Sequence, residues 1–150
     1  MTNDTPTEAL TVADAMTADP ATLPSTAGLG DLLLITNRAG IRHVPIVDKG
    51  ELVGIVSDRD LKLVLPSLRH DESWQSTAWD QLEAMRLSEL IGERLLTIEP
   101  EMSVKDAAAV MLHEKISALP VVAAGKVVGI ITTEDILRVY IERRPAVDEG

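Results

Sequence analysis

Two short runs carry the residue types best suited to binding chemistry: Gly54-Ile-Val-Ser57-Asp-Arg-Asp60-Leu61 and Gly129-Ile-Ile-Thr132-Thr-Glu-Asp135-Ile136. Each reads as an aliphatic strand running into the first turn of a helix, with a hydroxyl residue at the junction and an aspartate three positions on. Free amide groups and the helix dipole favour a bound anion at such a junction. An ionised carboxylate accepts paired hydrogen bonds of the kind that vicinal ribose hydroxyls donate. The same spacing is also a capping-box arrangement, which merely holds the helix. One copy alone favours capping; keeping both residues in two copies brings function level with it, since a cap accepts many substitutes.

The copies differ around these positions. Arg59 lies inside the first run, where it can neutralise a phosphate, and His43 is nearby; the second has Glu134 and Ala118 at the matching places. An acidic residue there repels a polyphosphate but tolerates a neutral or cationic ligand. The first copy is therefore the expected phosphate site. The plain alternative for Arg59 is a solvated helix residue.

The elements that position these runs are themselves written twice. Ile41–Val64 returns in register as Ile116–Val139, an offset of 75 positions. Two copies make a pseudo-symmetric pair rather than a solenoid. The repeat extends upstream: Val12–Met16 matches Leu87–Ile91, and Ala21–Leu23 matches Leu96–Ile98. Helical spacing of Leu29, Leu32, Leu33 and Ile35 ends at Gly40; Val104, Ala107, Ala108, Met111 and Leu112 follow Ser103, a natural N-cap. Paired β runs then flank glycine turns, Val44–Val47 with Leu52–Val56 and Leu119–Val122 with Val127–Ile131. Closing helices span Arg59–Leu65 and Glu134–Arg143, stopped by Pro66 and Pro145.

The predicted fold is α/β: two pseudo-symmetric repeats, each a small three-stranded sheet with helices on one face. Such a sheet cannot bury its other face alone, so the two are expected to pack sheet to sheet. The expected organisation is a flexible N-terminus at 1–11, repeat one at 12–65, a linker with a short helix at 66–86, repeat two at 87–143, and a tail at 144–150. In the linker, Trp79, Leu82 and Met85 fall at helical spacing. Its tryptophans, Trp74 and Trp79, either cover an edge of the core or form a partner surface.

Composition narrows the function classes. A net charge of −10 argues against nucleic acid and anionic membranes as main partners. The absence of cysteine excludes disulfides and thiolate metal sites. His43, His70 and His113 are scattered, so no metal site is expected. No nucleophile elbow, P-loop or dinucleotide fingerprint is present. The N-terminal residues predict no signal peptide, no apolar run reaches membrane-helix length, and a soluble cytoplasmic protein is expected.

The doubled unit resembles a tandem pair of cystathionine-β-synthase (CBS) domains, a Bateman module, over about residues 12–65 and 87–143. It is similar to small stand-alone bacterial pairs, acetoin-utilisation proteins among them. The resemblance implies a regulatory sensor, not an enzyme. In the family the cleft between the halves holds AMP, ADP, ATP or S-adenosylmethionine as a regulatory ligand, with no cofactor required. Carried over, Ser57 with Asp60 and Thr132 with Asp135 contact phosphate and ribose. Thr22 and Leu23, with Thr97 and Ile98, line the base pocket, and His43, Val44, Pro45, Ala118, Leu119 and Pro120 add its walls. Family modules commonly form homodimers, flat discs of four CBS units. With no effector fused, the resemblance points to a separate protein effector. The alternative class is a non-catalytic oligomerisation or scaffold module with a vestigial pocket.

Overall fold

The computed structural model describes residues 10–65 and 78–142. Most of the expected N-terminal segment and linker, Pro66, His70, Trp74, Arg143, Pro145 and the tail lie outside the described residues. In chain order the elements are α1 (Val12–Ala15), β1 (Thr17–Ala18), α2 (Leu29–Ala39), β2 (His43–Asp48), β3 (Glu51–Ser57), α3 (Asp58–Val64), α4 (Ala78–Ala84), a 3-10 turn (Leu87–Glu89), α5 (Val104–Glu114), β4 (Ala118–Ala123), β5 (Lys126–Thr132) and α6 (Thr133–Glu142).

The local causes are those the sequence predicts. The Ser103 Oγ accepts the Asp106 amide at 3.0 Å and starts α5, which buries Val104, Ala107 and Met111 on one stripe. Gly40 ends α2 in the left-handed region at φ 62°; at the matching place after α5 Lys115 takes φ 57°, where a side chain is strained. Both hairpins turn through two positive-φ residues, Lys49-Gly50 and Ala124-Gly125. This primed turn matches the strand twist. A register shift between Ile46 and Val47 recurs between Val121 and Val122, so even the bulge is duplicated.

The chain forms two compact units, and these are not the contiguous repeats. One is Ala21–Leu95; the other joins the described residues of Met1–Pro20 to those from Leu96 on. In the first, β2 pairs antiparallel with β3, and Leu23 makes a single parallel bridge to Ile46. Its core holds Leu29, Leu32, Val44, Ile46, Val56, Leu61, Leu82 and Leu87. In the second the strand order is β1-β5-β4, with Ile98 bridging Val121. Its core holds Val12, Ile98, Ala107, Met111, Leu119, Val121 and Ile131. The α4 helix forms where the linker spacing places it, burying Leu82. The Trp79 ring lies over Gly30 of α2, and its Nε1–H donates to the Glu83 carboxylate at 2.6 Å.

The start of each repeat is thus exchanged. The Val12 amide donates to the Met102 carbonyl at 2.7 Å, and the Ala13 amide to Pro100 at 3.0 Å. At the matching places, Leu87 donates to Ala27 at 2.9 Å and Ser88 to Ser25 at 3.0 Å. Val12 and Leu87 are fully buried, each in the core of the other repeat's unit. The exchange also explains the signature glycines. A Cβ on Gly129 would stand 2.3 Å from the Met16 sulfur, and one on Gly54 2.6 Å from Cγ2 of Ile91. Glycine is required there because an incoming apolar side chain rests on the strand backbone.

Candidate ligand-binding site

The strand-to-helix junction is built identically in the two units. Ser57 ends β3 as the N-cap of α3; its amide and hydroxyl both donate to Asp60 Oδ2, at 2.8 and 3.0 Å, and Oγ accepts the Asp60 amide at 3.2 Å. Thr132 repeats this with Asp135 at 2.9, 3.0 and 3.2 Å. Capping is therefore realised in both repeats. It consumes one carboxylate oxygen of each aspartate, and what remains for a ligand depends on the other.

Here the copies diverge. Asp135 is buried, 6% exposed, and Arg138 donates to its Oδ1 at 3.0 Å. A buried carboxylate needs such a partner. In the first repeat Leu63 occupies that place and Asp60 is only half-buried; among the described residues no guanidinium pairs with its second oxygen. Arg138 was not among the expected site residues; its signal was an arginine three positions after the signature aspartate, present in one copy alone.

His43 opens β2 directly across from Ser57, as Ala118 faces Thr132 on β4 and β5. Burial lowers the His43 pKa from its ordinary value near 6.5, opposed by the charges of Asp58 and Asp60. His43, Ser57 and Asp60 thus come together, and the Asp58 amide donates to the Arg42 carbonyl at 2.9 Å beside them. Arg59 is exposed, and so is Glu134 at its counterpart.

The expected walls fall in two groups. Thr22 and Thr97 are exposed, and Leu23 is half-buried. Leu23 exchanges backbone bonds with Pro45 and Val47 at 3.2 and 2.9 Å, as Ile98 does with Pro120 and Val122 at 3.0 and 2.9 Å. Val44, Ile98 and Leu119 belong to the hydrophobic cores, and Pro45, Ala118 and Pro120 are buried at the strands. Among the described residues no cluster of three or more His, Asp or Glu is placed to hold a metal, and no helix is long and apolar enough to cross a membrane.

Comparisons with known proteins agree with this architecture. A sequence model described as the CBS domain matches residues 12–67 and again 87–142. The chain is similar to the CBS domain-containing protein YhcV of Bacillus subtilis (strain 168), 27% identical, covering 83% of this chain and 81% of that one. Among solved structures it is similar to the CBS domain pair of protein MJ0100 in complex with 5′-methylthioadenosine and S-adenosyl-L-methionine: TM-score 0.74, 28% identity, 89% and 98% of the two chains covered. It is also similar to CBSX2 in complex with AMP: TM-score 0.71, 27% identity, 89% and 97% covered.

Proposed function

The chain belongs to the CBS-domain family, and from that premise we propose that it is a regulatory, non-catalytic module that binds an adenosine-containing ligand: AMP, ADP, ATP or S-adenosylmethionine. The observation that carries this reading is the duplicated Ser57/Asp60 and Thr132/Asp135 junction, in a fold whose solved relatives hold AMP or S-adenosylmethionine. Ser57 and Asp60 take phosphate and ribose; Thr132 and Asp135 do so in the second repeat. Thr22, Leu23, Thr97 and Ile98 flank the base, and the starts of β2 and β4, His43-Val44-Pro45 and Ala118-Leu119-Pro120, carry the walls. The first repeat, with His43 and Arg59, takes the phosphorylated ligand; the second, with Glu134 and Ala118, suits a neutral or cationic adenosyl group.

Occupancy passes to a separate protein effector through a homodimer in the cytoplasm. The ligand shifts that assembly only by its differential affinity for two arrangements. A second reading, a scaffold with a vestigial pocket, is favoured by one observation: the cap and Arg138 together engage both oxygens of Asp135.

Thermal-shift titration with each ligand tests the proposal. At 100 times its dissociation constant a ligand adds about 2.7 kcal/mol. The shift, rather than the absolute melting temperature, should vanish in Asp60→Ala, because that change also loosens the α3 cap. No shift with any of the four ligands, together with an assembly indifferent to Asp60→Ala and Asp135→Ala, hands the case to the scaffold.

A further inference from the structure

The two signature aspartates offer a ligand different numbers of acceptor positions. A carboxylate oxygen accepts about two hydrogen bonds. In the first repeat the Ser57 amide and hydroxyl fill Asp60 Oδ2. Lys62 of the same helix pairs instead with Asp58, at 3.6 Å. Among the described residues no donor sits on Asp60 Oδ1, so both of its positions are open to the adjacent hydroxyls of a ribose.

At Asp135 the Thr132 amide and hydroxyl fill Oδ2 in the same way, and Arg138 takes a position on Oδ1 at 3.0 Å. One position is left where a vicinal diol needs two. The guanidinium bond is charge-assisted and roughly twice as strong as the one a neutral hydroxyl makes. The Asp135 side chain is 7% exposed, so opening the pair strands a buried charge unless the ligand replaces what Arg138 supplies. The Arg138 side chain is itself 53% exposed, so it reaches in from solvent and competes for the carboxylate reversibly.

We propose that Arg138 sets the sugar specificity of the second repeat. The first repeat grips both hydroxyls of a ribose and selects it over deoxyribose. The second has room for one hydroxyl, binds more weakly and does not tell the two sugars apart. The proposal rests on the adenosyl-binding reading above and adds an order to it: the first repeat fills before the second. A ribose that is to place both hydroxyls on Asp135 must first turn Arg138 out to solvent. The contrast of His43 and Arg59 with Ala118 and Glu134 bears on phosphate. Arg138 acts on the sugar, so its effect holds for AMP and for unphosphorylated adenosine alike.

Calorimetric titration of the full chain with adenosine, AMP and 2′-deoxy-AMP tests this. Wild type should show a tighter site that is lost in Asp60→Ala and kept in Asp135→Ala. That site should lose roughly 10-fold or more in affinity when 2′-deoxy-AMP replaces AMP, the loss of one hydrogen bond to a charged group. The weaker site should change by less than about threefold, well short of one such bond. Arg138→Leu should tighten the second site for AMP roughly 10-fold and give it the first site's preference for ribose. Because Arg138→Leu removes the partner of a buried carboxylate, the reciprocal Leu63→Arg carries the test independently, at a side chain 72% exposed. It should weaken the first site for AMP roughly 10-fold and erase its sugar preference, while Leu63→Met changes neither. If none of the three ligands binds, the adenosyl reading falls and this one with it. A first site indifferent to the sugar, or a sugar preference that neither Arg138→Leu nor Leu63→Arg alters, overturns the role of Arg138 and leaves the adenosyl reading standing.

Discussion

Replacing Gly129 with alanine tests the exchanged packing that completes each unit. The new Cβ would lie 2.3 Å from Met16 Sδ, 2.9 Å from Met16 Cγ and 3.0 Å from the Thr17 carbonyl oxygen. The Met16 thioether can swing aside. The Thr17 carbonyl cannot, because β1 pairs with β5 at that point, Thr17 opposite Ile130 and Ala18 opposite Gly129. Overpacking of this kind costs about 1–3 kcal/mol, and alanine's smaller unfolded-state entropy returns about 0.4–1 kcal/mol. A net loss of about 1–2 kcal/mol follows, which for a chain near 150 residues lowers the melting temperature by roughly 2–8 °C. Gly54→Ala meets the stiff, β-branched Ile91, at 2.6 Å from Cγ2 and 3.0 Å from Cγ1. Thermal or urea denaturation of Gly54→Ala, Ile91→Ala and the pair closes a double-mutant cycle, with a favourable coupling of about 0.5–3 kcal/mol expected because each change relieves the other. Gly92, with nothing within 4 Å of a built Cβ, is the control: Gly92→Ala should be neutral or stabilising. Additivity of Gly54→Ala and Ile91→Ala would refute the glycine seat.

Three further outcomes are expected. His43 holds a lowered pKa in the folded chain, so between that value and its ordinary one near 6.5 the unfolded chain binds more protons and stability falls as pH falls through this window; His43→Gln should flatten that limb in denaturation runs between pH 5 and 7. Ser57→Ala removes the hydroxyl that accepts the Asp60 amide and should cost about 1 kcal/mol in urea denaturation, with Thr132→Ala alike. Arg138→Leu, which gives the second repeat the first repeat's residue, should strip the partner from a buried Asp135 and destabilise the chain more than the reciprocal Leu63→Arg, measured the same way.

The elements were legible because local patterns dictate them: short aliphatic runs flanking a glycine turn for β2–β3 and β4–β5, and helical spacing for α2 and α5. The exchange was not. An offset repeat shows that Val12–Met16 and Leu87–Ile91 are equivalent, yet swapping two equivalent segments leaves the pattern unchanged, so it cannot say which sheet each joins. The junction chemistry was legible down to the Ser57–Asp60 and Thr132–Asp135 pairs. Arg138 was not, because a repeat marks what both copies keep and this ion pair has its arginine in one copy alone. Along β2, Val44 and Ile46 enter the core, while His43 stands across from Ser57.

The division of the chain into units has a consequence for its synthesis. Ala21–Leu95 is contiguous and has all its strands as soon as it leaves the ribosome. The segment from Leu10 to Ala18, made before it, finds its first partners at Pro100, Met102 and Val104 and completes its docking only when β5 emerges more than a hundred residues later. At about 5–20 residues per second that interval lasts on the order of ten seconds. Throughout it Leu10, Val12 and Met16 remain without their core. An element made early thus settles late, so translation speed through the second half sets how long the nascent chain shows these apolar side chains to chaperones.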